Sequence, residues 1–128
     1  MNVLIDTHVF LWFIFDDPQL SVRARDVIED ENNDVYLSVA SVWEMAIKAG
    51  MGRLPLIEPV EAFIPQQLLR TNIQLLPISL VHALHVASLP GHHRDPFDRL
   101  LVAQSLIEGL PILSIDATFD AYGVDRRF

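Results

Sequence analysis

The chain has 128 residues, no cysteine and a formal net charge of −8. That length suits one domain spanning residues 1–128, and the lack of cysteine excludes a disulfide framework and any thiolate metal site. With 51% hydrophobic and 20% charged residues, the chain can bury a sizeable core and does not have the composition of a disordered protein. Asp6 interrupts the N-terminal apolar run and no basic residue precedes it. That pattern argues against a signal peptide or a membrane span and is compatible with a cytoplasmic setting.

Asn2 to Asp6 reads as a buried strand of continuous Val, Leu and Ile. Thr7 can cap the next segment, His8 to Phe15, which is too apolar for a solvated surface. Leu20 to Asn32 has a helical period, with Leu20, Ala24, Val27 and Ile28 on one face and acids on the other. Asn32-Asn33-Asp34 is a turn and Val35 to Leu37 a second strand. Ser41-Val42-Trp43-Glu44 fits a capping box, with Ser41 at the N-cap and Glu44 at the third helical position. On that motif alone, Glu44 reads first as a cap. Lys48, four residues on, can pair with it.

Gly50-Met51-Gly52 is a turn and not a dinucleotide fingerprint, since it follows a helix and not a strand. Pro59 to Arg70 reads as a helix, Gln74 to Ile78 as a third strand and Leu80 to Leu89 as another helix. His82 and His85 share a helix face but lack a neighbouring ligand in sequence, so they read as ordinary partly buried histidines. His92 and His93 lie in a loop, open to solvent or to a substrate. Asp95 before Pro96 suits an N-cap, and Pro96 suits the first helical position. Asp98 falls one turn in. Leu100, Leu101, Ala103, Leu106 and Ile107 make that helix apolar around most of its circumference, which predicts deep burial, and Gly109 is a natural C-cap. Ile112 to Ile115 is a fourth strand, Ala117 to Ala121 a short helix, and Val124 to Arg126 an edge strand.

Strands alternating with helices predict an α/β fold with a parallel sheet covered on both faces. In such a sheet, ligands bind at the carboxyl ends of the strands. Asp6, Glu44, Asp98 and Asp116 each lie at or just past a junction on that edge. Four carboxylates in one cleft repel and do not all stay ionised without cations. Oxygen ligands alone favour Mg²⁺ or Mn²⁺ over zinc.

Net negative charge opposes nucleic-acid binding, but the charge is uneven. Residues 16–34 hold seven acids and two bases, against ten acids and seven bases elsewhere. Five of those ten are Asp6, Glu44, Asp95, Asp98 and Asp116. With that cluster neutralised by metal, the remainder is mildly basic. Lys48, Arg53, Arg94, Arg99, Arg126 and Arg127 can form a phosphate-binding patch.

Asp6-Thr7-His8 after a strand, Ser41-Val42-Trp43-Glu44-Met45-Ala46-Ile47-Lys48, Gly52-Arg53-Leu54 and His93-Arg94-Asp95-Pro96-Phe97-Asp98-Arg99 together resemble the PIN-domain family, in particular the VapC-type toxins of bacterial toxin–antitoxin pairs. The likeness runs from Asn2 to about Gly123. It implies a three-layer α/β/α sandwich with a five-stranded parallel sheet. It also implies Mg²⁺- or Mn²⁺-dependent endoribonuclease activity, a homodimer, and inhibition by a small antitoxin protein. By position, Asp6, Glu44, Asp98 and Asp116 match the acidic quartet, with Asp95 as an extra acid. Lys48, Arg53, Arg94 and Arg99 are the candidates to hold RNA. The surface for an antitoxin includes the aromatic run Phe10, Trp12, Phe13 and Phe15, which core packing explains equally well.

Two other readings compete with the nuclease. A receiver-type signalling domain shares the size and alternation, but it needs an acidic pair after the first strand and a late lysine, and the chain has neither. A catalytically inactive binding module would use the acids only as caps, which suits Asp95, Asp98 and Glu44 but not Asp6 or Asp116. Nothing in these residues reads a 2′-hydroxyl, so the choice of RNA over DNA rests on the resemblance.

Overall fold

A computed structural model describes all 128 residues. Strands β1 (Asn2–Ile5), β2 (Asp34–Ser38), β3 (Gln74–Leu76), β4 (Ile112–Leu113) and β5 (Arg126–Arg127) form one parallel sheet in the order β3-β2-β1-β4-β5. Around it run α1 (Thr7–Ile14), α2 (Val22–Glu29), α3 (Val39–Gly50), α4 (Val60–Thr71), α5 (Leu80–His85) and α6 (Pro96–Glu108). A 3₁₀ turn at Val86–Ser88 extends α5, and a 3₁₀ helix at Ala117–Tyr122 follows β4.

Successive side chains of a strand point to opposite faces, and the sheet accordingly carries two cores. Val3 lies opposite Val35, and Ile5 lies between Leu37 and Leu113. These residues pack with Val9, Phe10, Ala24, Ile28, Met45 and Ile64, from α1, α2, α3 and α4. Leu4 and Ile112 face the other way, onto Leu101 and Val102 of α6 and onto Phe119 and Val124. This is the three-layer sandwich that continuous apolar strand runs require. The strand order excludes a receiver domain, whose flavodoxin-like order is 2-1-3-4-5.

Both ends of α6 form as the sequence predicts. Asp95 Oδ1 accepts from the N–H groups of Phe97 (2.8 Å) and Asp98 (3.3 Å), and Gly109 ends the helix at φ +66°. Its burial is narrower than predicted. Leu101 to Ser105 are buried, while Leu106 and Ile107 are exposed past the sheet.

The capping box at Ser41 does not form. Strand β2 passes directly into α3, and Ser38, still in extended backbone, caps the helix by accepting from Ala40 N at 3.0 Å. Ser41 therefore lies inside the helix, its hydroxyl buried without a partner. Glu44 falls in the second turn, beyond reach of the cap. Similarly, Asp6 and not Thr7 caps α1, accepting from Val9 N at 2.8 Å. The aromatic run of α1 belongs mostly to the core. Phe10 is fully buried, Trp12 and Phe13 pack against the first core, and the exposed Phe15 stacks on Phe63 with ring centroids 5.8 Å apart.

The reassigned cap is open to test by urea denaturation. Ser38→Ala should lower stability by about 1 kcal/mol, as expected for a lost N-cap. Ser41→Ala should leave stability unchanged or raise it, because it removes a buried hydroxyl that has no partner.

Candidate active site

Strands β2 and β3 extend the sheet on one side of β1, and β4 and β5 on the other. The chain order therefore reverses between β1 and β4, where open parallel sheets form their ligand crevice beyond the carboxyl ends. Asp6 follows β1 and its N–H donates to Leu113 O at 3.2 Å, which locks the ends of β1 and β4 together. Asp116 follows β4 a few residues on. The amino end of α6 brings Asp98 to the same place. One oxygen of Asp98, one of Asp116 and a ring nitrogen of His93 lie within 4.8 Å of one another.

Asp6 is 6% exposed. Burial raises its pKa and the charge of Asp116 adds to the effect, while hydrogen bonds from Ser114 and Val9 oppose it. Ser114 is fully buried, and its hydroxyl also accepts from Asp116 N at 3.0 Å. A residue given no role from sequence thus joins two of the acids. Burial also pushes Asp98 up to about 6, helped by the charges of Asp95, Glu44 and Asp116 and opposed by His93. Asp116 titrates below the ordinary carboxylate range. Partial burial works against its charge, but hydrogen bonds from His93 and from Thr118 N outweigh it. Its Oδ2 lies 2.9 Å from His93 Nε2, and its Oδ1 accepts from Thr118 N at 3.0 Å.

Glu44 sits further back. Its Oε1 accepts from the Thr7 hydroxyl at 2.7 Å and its Oε2 from Lys48 Nζ at 3.0 Å. It is near enough to raise the pKa of Asp98, but both of its oxygens already have partners. Asp95 is exposed and caps α6. Most of the bases predicted to form a phosphate-binding patch already have partners. Lys48 is paired with Glu44, Arg126 with Asp120 and Arg127 with Asp125. The guanidinium of Arg99 donates to the carbonyls of Val86, Leu89, Pro90 and His93, so it ties down the loop before α6 and is not free to face phosphate. Arg53 and Arg94 are exposed and make no ion pair. His82 is buried by α6, its Nε2 2.9 Å from Glu108, an ordinary structural histidine as its sequence setting suggests.

Sequence reasoning left His93 between loop solvation and contact with a substrate or a metal-bound water, and the structure packs it against Asp116. The His93 side chain is only 9% exposed, and the backbone N–H of the same residue donates to the Tyr122 hydroxyl at 2.6 Å. Its position directly before Arg94-Asp95-Pro96, next to the cap of α6, was the available signal. A cavity of about 600 Å³ lined by Glu29, Asp30, Asp34, Arg70 and Asn72 lies at the amino ends of β2 and β3, on the edge away from these acids.

The profile of the PIN domain matches residues 3–125. The chain belongs to the PIN-domain family. It is 34% identical over 72 residues to a Mycobacterium tuberculosis protein named Ribonuclease VapC16, in a match covering 53% of this chain and 51% of that one. It is 29% identical over 116 residues to Ribonuclease VapC22 of the same organism, covering 90% and 87%. The chain thus aligns with about half the length of the first relative and most of the second. Among solved structures, it is similar to VapBC2 from Rickettsia felis bound to a promoter DNA fragment, with TM-score 0.74, 10% identity, and 99% and 98% of the two chains covered. It is also similar to FitAcB from Neisseria gonorrhoeae, with TM-score 0.65, 20% identity, and 100% and 97% covered. These structural likenesses support the PIN fold.

The strain on Asp98 has a pH signature. Between its ordinary value of 3.8 and about 6, the folded protein keeps a proton that the unfolded chain has lost, so this group's contribution to stability falls as pH rises through that window. In metal-free protein, Asp98→Asn should therefore raise Tm at pH 7 and change it little near pH 4. A divalent cation held by the ionised wild-type carboxylate would reverse the ranking at pH 7. Thermal melts with and without a chelator measure both effects.

Proposed function

We propose that this protein is a divalent-metal-dependent endoribonuclease, the toxin of a toxin–antitoxin pair. The observation that carries the reading is the convergence of Asp98 and Asp116 at the β1/β4 crevice, with Asp6 at the end of β1 close enough for the charge of Asp116 to raise its pKa. The two relatives named as ribonucleases support the choice of RNA.

The donor set fits a hard cation. It offers carboxylate oxygens and no thiolate, and Asp98 is raised first by burial and then by the negative charges of Asp95, Glu44 and Asp116. Asp6, Asp98 and Asp116 would hold Mg²⁺ or Mn²⁺, with Glu44 behind them and Asp95 at the rim. Such an ion supplies Lewis-acid activation of water and neutralises charge on a phosphodiester under attack. The chain's own residues do the rest. Thr7 and Lys48 hold Glu44 in place. Asp95 fixes the first turn of α6 and thereby the direction of Asp98. Arg99 braces the loop that delivers His93. Exposed Arg94 and Arg53 remain to receive the flanking phosphates.

Partners follow from apolar surface. Between α3 and α4 lies a groove of about 430 Å³ lined by Val42, Ala46, Val60, Ile64, Leu68 and Leu75. It suits an amphipathic segment of an antitoxin better than the largely buried aromatic run of α1 does. Leu80, Val81 and Leu84 of α5 are 74%, 59% and 65% exposed on one face, which suits a homodimer contact. Leu84→Glu should convert a dimer to a monomer in light scattering without unfolding it.

A second reading has one observation behind it. Asp6, Asp95 and Asp116 all serve as N-caps, which a binding module without catalysis would also need. One experiment separates the two. Protein free of any antitoxin is incubated with total RNA and Mn²⁺ beside Asp98→Asn, and Mn²⁺ binding is titrated by calorimetry. Discrete fragments from wild type alone are expected. Loss of a ligand should slow cleavage by more than about 100-fold, the upper end for residues that only support a ligand. Equal Mn²⁺ affinity in wild type and in a variant with all four acids amidated would establish the binding module.

A further inference from the structure

The mouth contains one nitrogen among its oxygens, that of His93, and two contacts decide what it does. The Tyr122 oxygen accepts the backbone N–H of His93 at 2.6 Å and lies 3.2 Å from His93 Nδ1. A phenol has a single hydrogen and no other ring donor. The phenol oxygen can also accept a second bond, so this contact alone does not choose between a bare and a protonated Nδ1; the carboxylate on the other side of the ring does. An ionised carboxylate only accepts, so the ring hydrogen sits on Nε2, 2.9 Å from Asp116 Oδ2, and neutral imidazole, which carries one N–H, leaves Nδ1 bare to take the phenol hydrogen. Phe119 packs against the same ring, with centroids 4.8 Å apart.

We infer that Asp116 and Tyr122 together fix His93 as the Nε2–H tautomer, which makes His93 a positioning residue that donates to Asp116 and excludes it as a nitrogen ligand of the metal. This rests on the metal-dependent reading above and sharpens it. Asp116 receives one N–H on each oxygen, and each oxygen keeps a lone pair for a cation. The device also sets metal choice. Imidazole nitrogen draws Zn²⁺ and Ni²⁺, whereas carboxylates alone suit Mg²⁺ and Mn²⁺. With the Tyr122 hydroxyl removed, the ring loses one of the two contacts that hold this tautomer, and it more readily carries its hydrogen on Nδ1 and aims a bare Nε2 at Asp98 and Asp116. One hydroxyl outside the cluster would then help keep a ring nitrogen out of the coordination sphere.

The first test needs no variant, no RNA and no metal. Nitrogen NMR of the imidazoles in metal-free protein should show His93 with hydrogen on Nε2 and none on Nδ1. Hydrogen on Nδ1 overturns the inference. The second reads metal binding by calorimetry on folded variants. The amide of Gln reaches to where Nε2 stands, and that of Asn only to where Nδ1 stands. His93→Asn should therefore weaken Mn²⁺ binding about 10- to 100-fold, the range for residues that orient a ligand, and His93→Gln should largely retain it. Tyr122→Phe should shift the Zn²⁺-to-Mn²⁺ affinity ratio toward Zn²⁺. Equal losses in the Asn and Gln variants, or an unchanged ratio in Tyr122→Phe, overturn it. A wild type that has the predicted tautomer and metal ratio but cuts no RNA defeats the nuclease reading and leaves this one standing.

Discussion

Mutual repulsion of carboxylates at the β1/β4 crevice is the constraint to which the surrounding structure answers. Each acid there has its own local support. Asp6 accepts from Val9 N and Ser114, Glu44 from Thr7 and Lys48, and Asp116 from His93 and Thr118 N. Asp98 is the exception. No donor holds its carboxylate, and it is the acid pushed up to about 6. An acid left without a donor among three other negative groups is unfavourable for folding alone. It is favourable for a cation, which relieves the repulsion when it binds. Support and strain thus overlap at Asp6, which burial raises despite its donors, while Asp98 is raised with no hydrogen-bond donor to oppose the shift.

The loop before α6 matters for the same reason. Residues 86–95 must bring His93 and Asp98 to the crevice, yet Pro90-Gly91 favours no single path. Arg99, one turn into α6, collects the carbonyls of Val86, Leu89, Pro90 and His93 on one planar guanidinium. Its fork of fixed donors does what a lysine, a point charge, cannot. In sequence, an arginine beside two aspartates looks like a phosphate ligand. Its real employment depends on carbonyls that lie 6 to 13 residues upstream, a distance that no local pattern encodes.

That difference marks what was legible. The sheet was legible, because strands covered on both faces must be apolar without interruption. Asp6, Asp98 and Asp116 were legible, because a parallel sheet sends its strand ends to one edge. The start of α6 was written in Asp95-Pro96, where backbone geometry admits few alternatives. What failed was local competition between similar residues. Ser38 and Ser41 are both good caps, and the choice fell to the length of β2, a tertiary matter. Glu44 looked like half of a capping box until Thr7, from α1, claimed one of its oxygens. For His93 the sequence left solvent and substrate contact both open, because its partners Asp116 and Tyr122 lie more than twenty residues away.

The net charge of −8 remains to be squared with the RNA substrate proposed for this chain. The excess acid is not spread evenly in space. Glu29, Asp30, Glu31 and Asp34 line the cavity at the amino ends of β2 and β3, and the crevice opens at the carboxyl ends of β1 and β4. In a parallel sheet these are opposite edges, separated by the length of a strand. Five residues of β2 span about 16 Å, whereas exposed charges are screened over about 8 Å at physiological ionic strength. The acids of α2 and its following turn are therefore electrostatically remote from the crevice. The field at the mouth is set by its own carboxylates, by Lys48 and by whatever cation they hold. Once that cation is bound, Arg94 and Arg53 are the nearest unpaired charges in sequence to the site's motifs, and both are positive. A chain that is acidic as a whole can in this way present a locally neutral or basic mouth to phosphate.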